Sequence, residues 1–284
     1  MAITPVDLSV TNITPTSVRL NWVAVALNPL QALINSLFGS AEQGAFYIPM
    51  PVVLGAQSLF QDSEGTVPVT ADGDPVGLMI DQSGNGYHAI QTVSAYRLIY
   101  RTDGTLNWLE NSGTGQFIKT GDIDFTGTNK LTAVTGLRKE NDENTGAVFE
   151  FGPEITSSDG SFLLLAPSNN GDNSYRAFSR GTVLRYTGTG PFAEPPDTAV
   201  ISMLSDIAQP VLTLRRNGAV VESNTGSQGT GNYGNYALTI GARANEDQSL
   251  NGKIYSIVIR GAQTNSADLD SLEQYTARLA GVTL

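Results

Sequence analysis

The chain has 284 residues, of which 40% are hydrophobic, enough for one large β domain or two small ones. Its 27 acidic residues outnumber its 16 basic residues, and the formal net charge of −11 disfavours nucleic acid as a partner. The lack of cysteine excludes disulfides, thiolate metal sites and cysteine nucleophiles.

The first 43 residues predict a small segment of their own. Residues 1–23 are expected to form two short strands, because apolar and polar residues alternate on both sides of a Thr-Pro-Thr-Ser turn. The stretch VDLSVTNITPTSVRLNW resembles the first two strands of a fibronectin type III domain. Residues 28–43 predict a helix, with Asn28 as the cap, Pro29 in the first turn and a leucine-rich stripe. A lone hairpin is marginally stable, so residues 1–43 are expected to serve attachment or oligomerisation.

The start of the chain also bears on where the protein is made. MAITPVDLSV lacks the basic region and the apolar run of a secretory signal. No apolar window reaches the ~18 residues that a membrane-spanning helix needs. We therefore expect synthesis in a cytoplasm, with no signal peptide and no membrane insertion.

From Gly44 onward, short apolar segments alternate with turns rich in Gly, Asn, Asp and Ser. Their spacing of about ten residues, without intervening helical patterns, predicts an all-β antiparallel sandwich. Asn217-Gly218 is typical of a tight hairpin turn. The candidate strands are AFYI, VGLMI, HAIQ, LIYR, TLNWLE, LTAVTGLR, AVFEFG, SFLLLA, YRAFSR, TVLRYT, AVISMLS, VLTLRRNG, YALTIGA and KIYSIVIRG.

The last segment, residues 264–282, predicts a short amphipathic helix on the sandwich. Asn265 and Asp268 occupy capping positions, leucines follow at helical spacing, and Gly281 ends the pattern.

Five stretches together resemble one family. They are GAFYIPM, SLFQDSEGTVPVTADGDPVGLMIDQSGNGYHAIQ, YRTDGTLNWLENSGTGQF, SFLLLAPS and LNGKIYSIVIRGAQTNSADLDSLEQYTARLAGV. In this order they resemble the concanavalin A-like, or laminin G-like, jelly-roll domains of bacteriophage structural and tail proteins. The resemblance covers residues 44–284, which we take as one domain after the 1–43 segment. It implies a two-sheet jelly-roll sandwich of the lectin and glucanase type in a virion protein.

The chain departs from that family at two places. The aromatic-Asp-Pro-Ser opening of the family is here Phe46-Tyr47-Ile48-Pro49-Met50, without the acid. The aromatic residue expected after the TLNWLE strand is here Asn111. We therefore do not expect this chain to have a site of the family that depends on either residue.

The stretch DQSGNGYHAIQ contains His88, the only histidine of the chain, and allows three interpretations. The first is a turn between strands, in which Gly84 and Gly86 supply positive φ angles. The second is a Ca²⁺ loop, in which aspartate carboxylates are the ligands. The third, a catalytic loop, lacks a second histidine and a nucleophile elbow. The candidate calcium ligands are Asp72, Asp74 and Asp81.

Hydrolase activity would require paired carboxylates facing one groove. The Glu-x-Asp-x-x-Glu motif of glucanases on this fold is absent. Two pairs stand nearest to it, Glu150 with Glu154 and Asp122 with Asp124, and the second pair is expected to share a strand face. Asp122 and Asp124 lie among small and turn residues without an aromatic wall, so we predict that the chain is not an enzyme.

Sugar binding needs an aromatic face and polar groups that fix the hydroxyls. The loop GTGNYGNYALT offers both, and TLNWLENSG offers a tryptophan beside an asparagine. Packing within the sandwich is the alternative for each aromatic residue. The candidate carbohydrate-binding residues are Tyr233, Tyr236, Asn232, Asn235 and Trp108.

These observations predict a phage virion surface protein of the tail, tail tip or fibre that contacts host surface carbohydrate. Other virion proteins are expected to bind residues 1–43, and a homo-oligomer is expected, with a trimer favoured. No cofactor is required, although Ca²⁺ is possible. A structural decoration or spike protein of the capsid or neck is the main alternative, and a glycan depolymerase the third.

Overall fold

The structure, a computed structural model, describes residues 28–167, 173–187 and 193–284. The two strands predicted within residues 1–23 lie outside the described residues. The helices are α1 (Pro29–Phe38) and α2 (Ser266–Ala280). The strands in chain order are β1 (Gly44–Tyr47), β2 (Val52–Val53), β3 (Ala56–Gln57), β4 (Leu59–Phe60), β5 (Pro75–Val76), β6 (Leu78–Met79), β7 (Ala89–Ile90), β8 (Leu98–Thr102), β9 (Asn107–Ser112), β10 (Ile118–Asp124), β11 (Lys130–Lys139), β12 (Ala147–Phe151), β13 (Phe162–Leu165), β14 (Arg176–Arg180), β15 (Leu184–Tyr186), β16 (Asp197–Asp206), β17 (Val211–Arg216), β18 (Ala219–Asn224), β19 (Asn235–Ile240) and β20 (Asn251–Arg260).

Most of these strands form two antiparallel sheets that share one apolar core. Sheet I has the order β18-β17-β16-β11-β20-β9-β8-β5, and β1 also pairs with β20. Sheet II has the order β15-β14-β13-β12-β19-β10-β7-β6-β4. Side chains from both inner faces meet in the core, for example Ile201 and Ile257 of sheet I with Phe149 and Phe162 of sheet II. The predicted all-β two-sheet sandwich with two short helices is therefore confirmed.

Both helices pack on the outer face of sheet I. Leu33 and Leu37 of α1 and Leu272 of α2 share a buried cluster with Val134 and Val258 of sheet I. The structure confirms the predicted caps, since Asn28 accepts the amide of Leu30 at 2.9 Å. At the other end, Gly281 adopts the left-handed conformation with φ 68° after α2. Among the described residues, no helix is long and apolar enough to cross a membrane.

Helix α1 (Pro29–Phe38) is shorter than the helix over residues 28–43 that the sequence predicts. It ends at Phe38, where its apolar stripe also ends. The segment Gly-Ser-Ala-Glu-Gln that follows has no large apolar side chain to bury, and Ala41 turns the chain with φ 64°. Packing on sheet I therefore sets the length of this helix.

Buried ion pairs fix the helices to sheet I. The Arg260 guanidinium donates to the Leu37 carbonyl oxygen at 2.6 Å and to the Glu42 carboxylate at 2.7 Å. Glu273 of α2 accepts two hydrogen bonds from Arg215, at 2.8 and 2.9 Å. Breaking such pairs leaves a buried charge, so both helices are held firmly and the outer face of sheet I is covered.

The segment around His88 is a turn, which confirms the first of its three interpretations. Gly84 and Gly86 have φ angles of 90° and 82°. The Asp81 carboxylate accepts the amides of Phe46, Ser83 and Tyr87 at 2.9, 2.9 and 3.1 Å. His88 Nδ1 accepts the Asp81 amide at 3.1 Å, so both side chains serve the local backbone.

Three buried tyrosines predict a loss of stability in alkali. Burial raises the pKa of Tyr233 to about 12 and holds the pKa values of Tyr47 and Tyr175 well above 10.0. The unfolded chain releases these protons near pH 10, whereas the folded chain keeps them. The contribution of these tyrosines to stability is therefore fully present below about pH 10 and is lost as the pH rises towards 12.

Phenolate absorbance and circular dichroism, recorded through one alkaline titration, measure this effect. Exposed tyrosines are expected to ionise first, and the three buried ones only together with unfolding. Complete ionisation near pH 10 with unchanged circular dichroism would contradict the assignment.

Candidate functional site

The structure separates the two tyrosines that the sequence places in one contact surface. The side chain of Tyr233 is only 1% exposed, and its ring packs edge-on against Phe162 at 5.7 Å. Its hydroxyl lies 2.8 Å from Ser179 Oγ, inside the sandwich. A sugar cannot stack on this ring, so the prediction for Tyr233 is wrong: the position belongs to the core.

Tyr236, by contrast, lies at the rim of the core. It is half-buried against Phe151, with ring centres 5.6 Å apart, and its hydroxyl donates to the Asp159 carbonyl at 3.0 Å. A Cβ at Gly234 would lie 2.1 Å from the Tyr236 ring, so this position must be glycine to seat it. The ring is therefore held in place before any ligand arrives.

Tyr236 borders a cleft of about 370 Å³ on sheet II, which we name the sheet II cleft. Two strands, β10 and β19, and the loops after β12 and β19 contribute to it. In register, Asp122 on β10 faces Ala237 on β19, and Asp124 faces Asn235. The lining includes Lys119, Asp122, Pro153, Asn235, Tyr236 and Ala244.

Three exposed polar side chains converge on this cleft without partners. Within the described chain, no hydrogen bond or ion pair engages the side chains of Lys119, Asp122 or Asn235. Thr239, the cross-strand neighbour of Lys119, has a buried hydroxyl without a hydrogen-bond partner among the described residues. Together these groups supply a cation, an anion and an amide, a set that can bond to hydroxyl and carbonyl groups of a ligand.

A buried carboxylate holds both walls of the sheet II cleft. Glu150 of β12 is fully buried and accepts the Ile155 amide at 3.1 Å from one wall. From the other wall it accepts Arg243 Nε and the Ala244 amide, both at 2.7 Å. Arg243 also donates to Glu154 at 2.8 Å. Because these bonds are buried, the cleft is preformed.

The acid pairs considered for hydrolysis have other roles. Glu150 and Glu154 both bind Arg243. Burial raises the pKa of Glu154, but its interactions with Thr156 and Arg243 outweigh burial, so the pKa is lowered. Asp122 and Asp124 do share the exposed face of β10, as predicted. Hydrogen bonds from Thr126 lower the pKa of Asp124, whereas a general acid needs a raised pKa.

The remaining predicted sugar-binding residues lie outside the cleft. Asn232 is exposed, but its side-chain amide donates to the Thr126 carbonyl at 2.6 Å. Trp108 is on β9 of sheet I, and the Lys253 ammonium lies 4.5 Å from its ring centre. That ring face is already covered, so of the five predicted residues only Tyr236 and Asn235 reach the cleft.

The three aspartates proposed for calcium do not come together. Asp81 is buried in the turn described above, and Asp74 caps the backbone at Thr70 and Ala71, both at 2.9 Å. Asp72 accepts the Thr102 amide at 2.9 Å. No group of three acidic or histidine side chains able to hold a metal ion occurs in the described part of the chain. Each carboxylate instead accepts hydrogen bonds from backbone amides that pack against it.

Sequence reasoning missed Lys119 and the walls at Pro153 and Ala244. Lys119 precedes Asp122 on β10, of which the sequence indicates only the part with Asp122 and Asp124, because Gly121 and short polar residues hide the alternation of the rest. The walls follow from Arg243 meeting Glu150, residues 93 positions apart. In the sequence, only the acidic residue Glu150 within the apolar stretch AVFEF could have indicated a buried ion pair between the two walls.

No protein-family model and no curated protein sequence matches the chain. The fold is similar to the botulinum neurotoxin serotype D ligand-binding domain in complex with N-acetylneuraminic acid. That similarity has a TM-score of 0.56 at 10% identity, over 87% of this chain and 53% of that one. The similarity to the botulinum neurotoxin serotype G binding domain has a TM-score of 0.51 at 12% identity, over 70% of this chain and 49% of that one. The chain thus spans about half the length of these structures, and the similarity concerns the fold.

Proposed function

We propose that the protein is a non-catalytic, lectin-like module that holds a sugar of a host surface polysaccharide in the sheet II cleft. The observation that carries this proposal is the convergence of Lys119, Asp122 and Asn235, all without partners, on a preformed cleft. Sugars offer dense hydroxyl groups, and such groups need both donors and acceptors around them. The similar fold of a toxin domain that binds N-acetylneuraminic acid supports the same class of ligand.

We place this module on a phage virion, at the tail, tail tip or fibre. The family resemblance over residues 44–284 supports this location. In this proposal residues 1–43 attach the protein to other virion proteins, and copies associate as a trimer. The acidic surface, with a net charge of −11, fits a neutral glycan better than a phosphate-rich partner.

Replacing Asn235 by alanine is expected to weaken glycan binding about 10-fold, because one hydrogen-bonding group leaves the cleft. Asp122→Asn should do the same through loss of a charged acceptor. Binding is measured on an array of bacterial surface polysaccharides and then by calorimetry with the best-bound member. Asn232→Ala is the matched control, since Asn232 belongs to the same loop but lies outside the cleft.

Two results would count against the proposal. Equal losses in Asn235→Ala and Asn232→Ala would show a general effect on the loop rather than a contact in the cleft. An absence of binding to every polysaccharide, from folded protein assembled on particles, would favour the decoration or spike role. Antibody labelling of whole particles then distinguishes the tail from the capsid or neck.

A further inference from the structure

A second cleft, of about 600 Å³, lies between three loops at one end of the sandwich. We name it the end-loop cleft. Residues 113–115, 144–145 and 246–249 line it, and its surface is mainly polar. Among the described residues, no hydrogen bond or ion pair engages the side chains of Asn144, Thr145 or Glu246. Like the sheet II cleft, it presents free polar groups.

Buried polar contacts fix two of the three loops of the end-loop cleft, those of residues 113–115 and 246–249. Asn111 is 1% exposed, and its amide donates to the carbonyl oxygens of Gln116 and Gly241 at 2.9 and 2.7 Å. Ser249 Oγ accepts the Gly115 amide at 3.0 Å. Asn111 thus takes a structural role where the related family has an aromatic residue, and the cleft is preformed.

One loop separates the two clefts. Ala244 lines the sheet II cleft and Glu246 lines the end-loop cleft, so at most ~7 Å of chain lies between them. Glu246 and Gln248 adopt φ angles of 70° and 47°, which side chains rarely tolerate. The Arg243–Glu150 ion pair holds this loop in place. Its position makes the two clefts neighbouring parts of one surface.

The charges on this surface are mostly negative. Asp122, Glu246 and Asp247 are opposed only by Lys119 among the charged residues that line the two clefts. With the net charge of −11, this arrangement repels carboxylate and phosphate groups of a ligand. A sugar without net charge meets no such repulsion, and its hydroxyl groups suit the free amides and hydroxyls.

The following inference rests on the proposed function. We propose that the two clefts bind one neutral oligosaccharide, which crosses the loop from Ala244 to Glu246. Each cleft has a volume within the roughly 300–1,000 Å³ of small-molecule sites, so the ligand spans more than one sugar ring. This chain would then prefer uncharged chains over acidic sugars such as N-acetylneuraminic acid.

The test uses the full-length protein and three asparagine-to-alanine variants. Asn235→Ala alters the sheet II cleft, Asn144→Ala the end-loop cleft, and Asn232→Ala neither. The probes are fragments of one, three and six sugars from the best-bound polysaccharide of the array, which contains neutral and acidic members. We expect neutral members to bind. We also expect six-sugar affinity to fall about 10-fold in each cleft variant, and one-sugar affinity to fall in only one of them.

The possible failures are distinguishable. Loss of six-sugar binding in Asn235→Ala but not in Asn144→Ala would overturn the extended surface while leaving the proposed function intact. Preferential binding of acidic polysaccharides by the unaltered protein would overturn the inference about charge. No binding to any member of the array would remove the proposed function and this inference with it.

Discussion

Replacing Glu150 by alanine is expected to lower the free energy of unfolding by about 3–5 kcal/mol, because Arg243 loses its buried partner and keeps only the partly exposed Glu154. The Ile155 and Ala244 amides would also lose their acceptor. Since those amides belong to the two walls of the sheet II cleft, glycan binding should fall together with stability. Urea unfolding and calorimetric binding measure the two effects.

Two further variants separate the ion pair from the burial of side chains. Glu154→Gln removes the second, partly exposed partner of Arg243 and should cost less than about 1 kcal/mol. The double change Glu150→Leu with Arg243→Met removes both buried charges, so it should recover most of the lost stability but not the binding. A Glu150→Ala protein as stable as the unaltered one would show that this pair does not hold the walls.

Replacing Tyr233 by alanine is expected to lower the free energy of unfolding by about 3–5 kcal/mol, as for other large core side chains. The ring fills space beside Phe162, and its hydroxyl belongs to a buried network that continues through Ser179 and Ser205 to Gln228. Tyr233→Phe keeps the ring and loses one hydrogen bond, so it should cost only about 0.5–1.5 kcal/mol.

The neighbouring position provides the contrast. Tyr236→Ala should weaken glycan binding, because the ring borders the sheet II cleft, while destabilising the fold less than Tyr233→Ala does. Thermal unfolding and binding are measured for both single variants. Loss of binding without loss of stability in Tyr233→Ala would mean that Tyr233 reaches a ligand after all.

Local patterns were sufficient to predict the sandwich and its helices. The short apolar segment LTAVTGLR, the Asn217-Gly218 turn and the caps at Asn28 and Asn265 each depend on neighbouring residues, and the structure contains all of them. The end of α1 was missed because packing on sheet I, not propensity, stops that helix. Of strand β10 only the part with Asp122 and Asp124 was expected, because its outward side is polar and contains Gly121.

The candidate site was harder to predict because its parts meet only in three dimensions. Asn235 and Tyr236 were found from composition, but nothing in GTGNYGNY distinguishes the buried Tyr233 from the accessible Tyr236. Their difference arises from tertiary packing, since Tyr233, which precedes β19, lies against Phe162 and Tyr236 lies at the rim beside Phe151. The separation of Asp72 from Asp81 likewise follows from topology rather than from spacing along the chain.

The two helices on sheet I give the molecule a back and a front. The chain enters the described domain at α1, on the side opposite the sheet II cleft. If the protein is attached through residues 1–43 as proposed, the sheet II cleft would face away from the support. Copies fixed to a common support in this way would all show their open faces to the surroundings, with no rearrangement needed on contact.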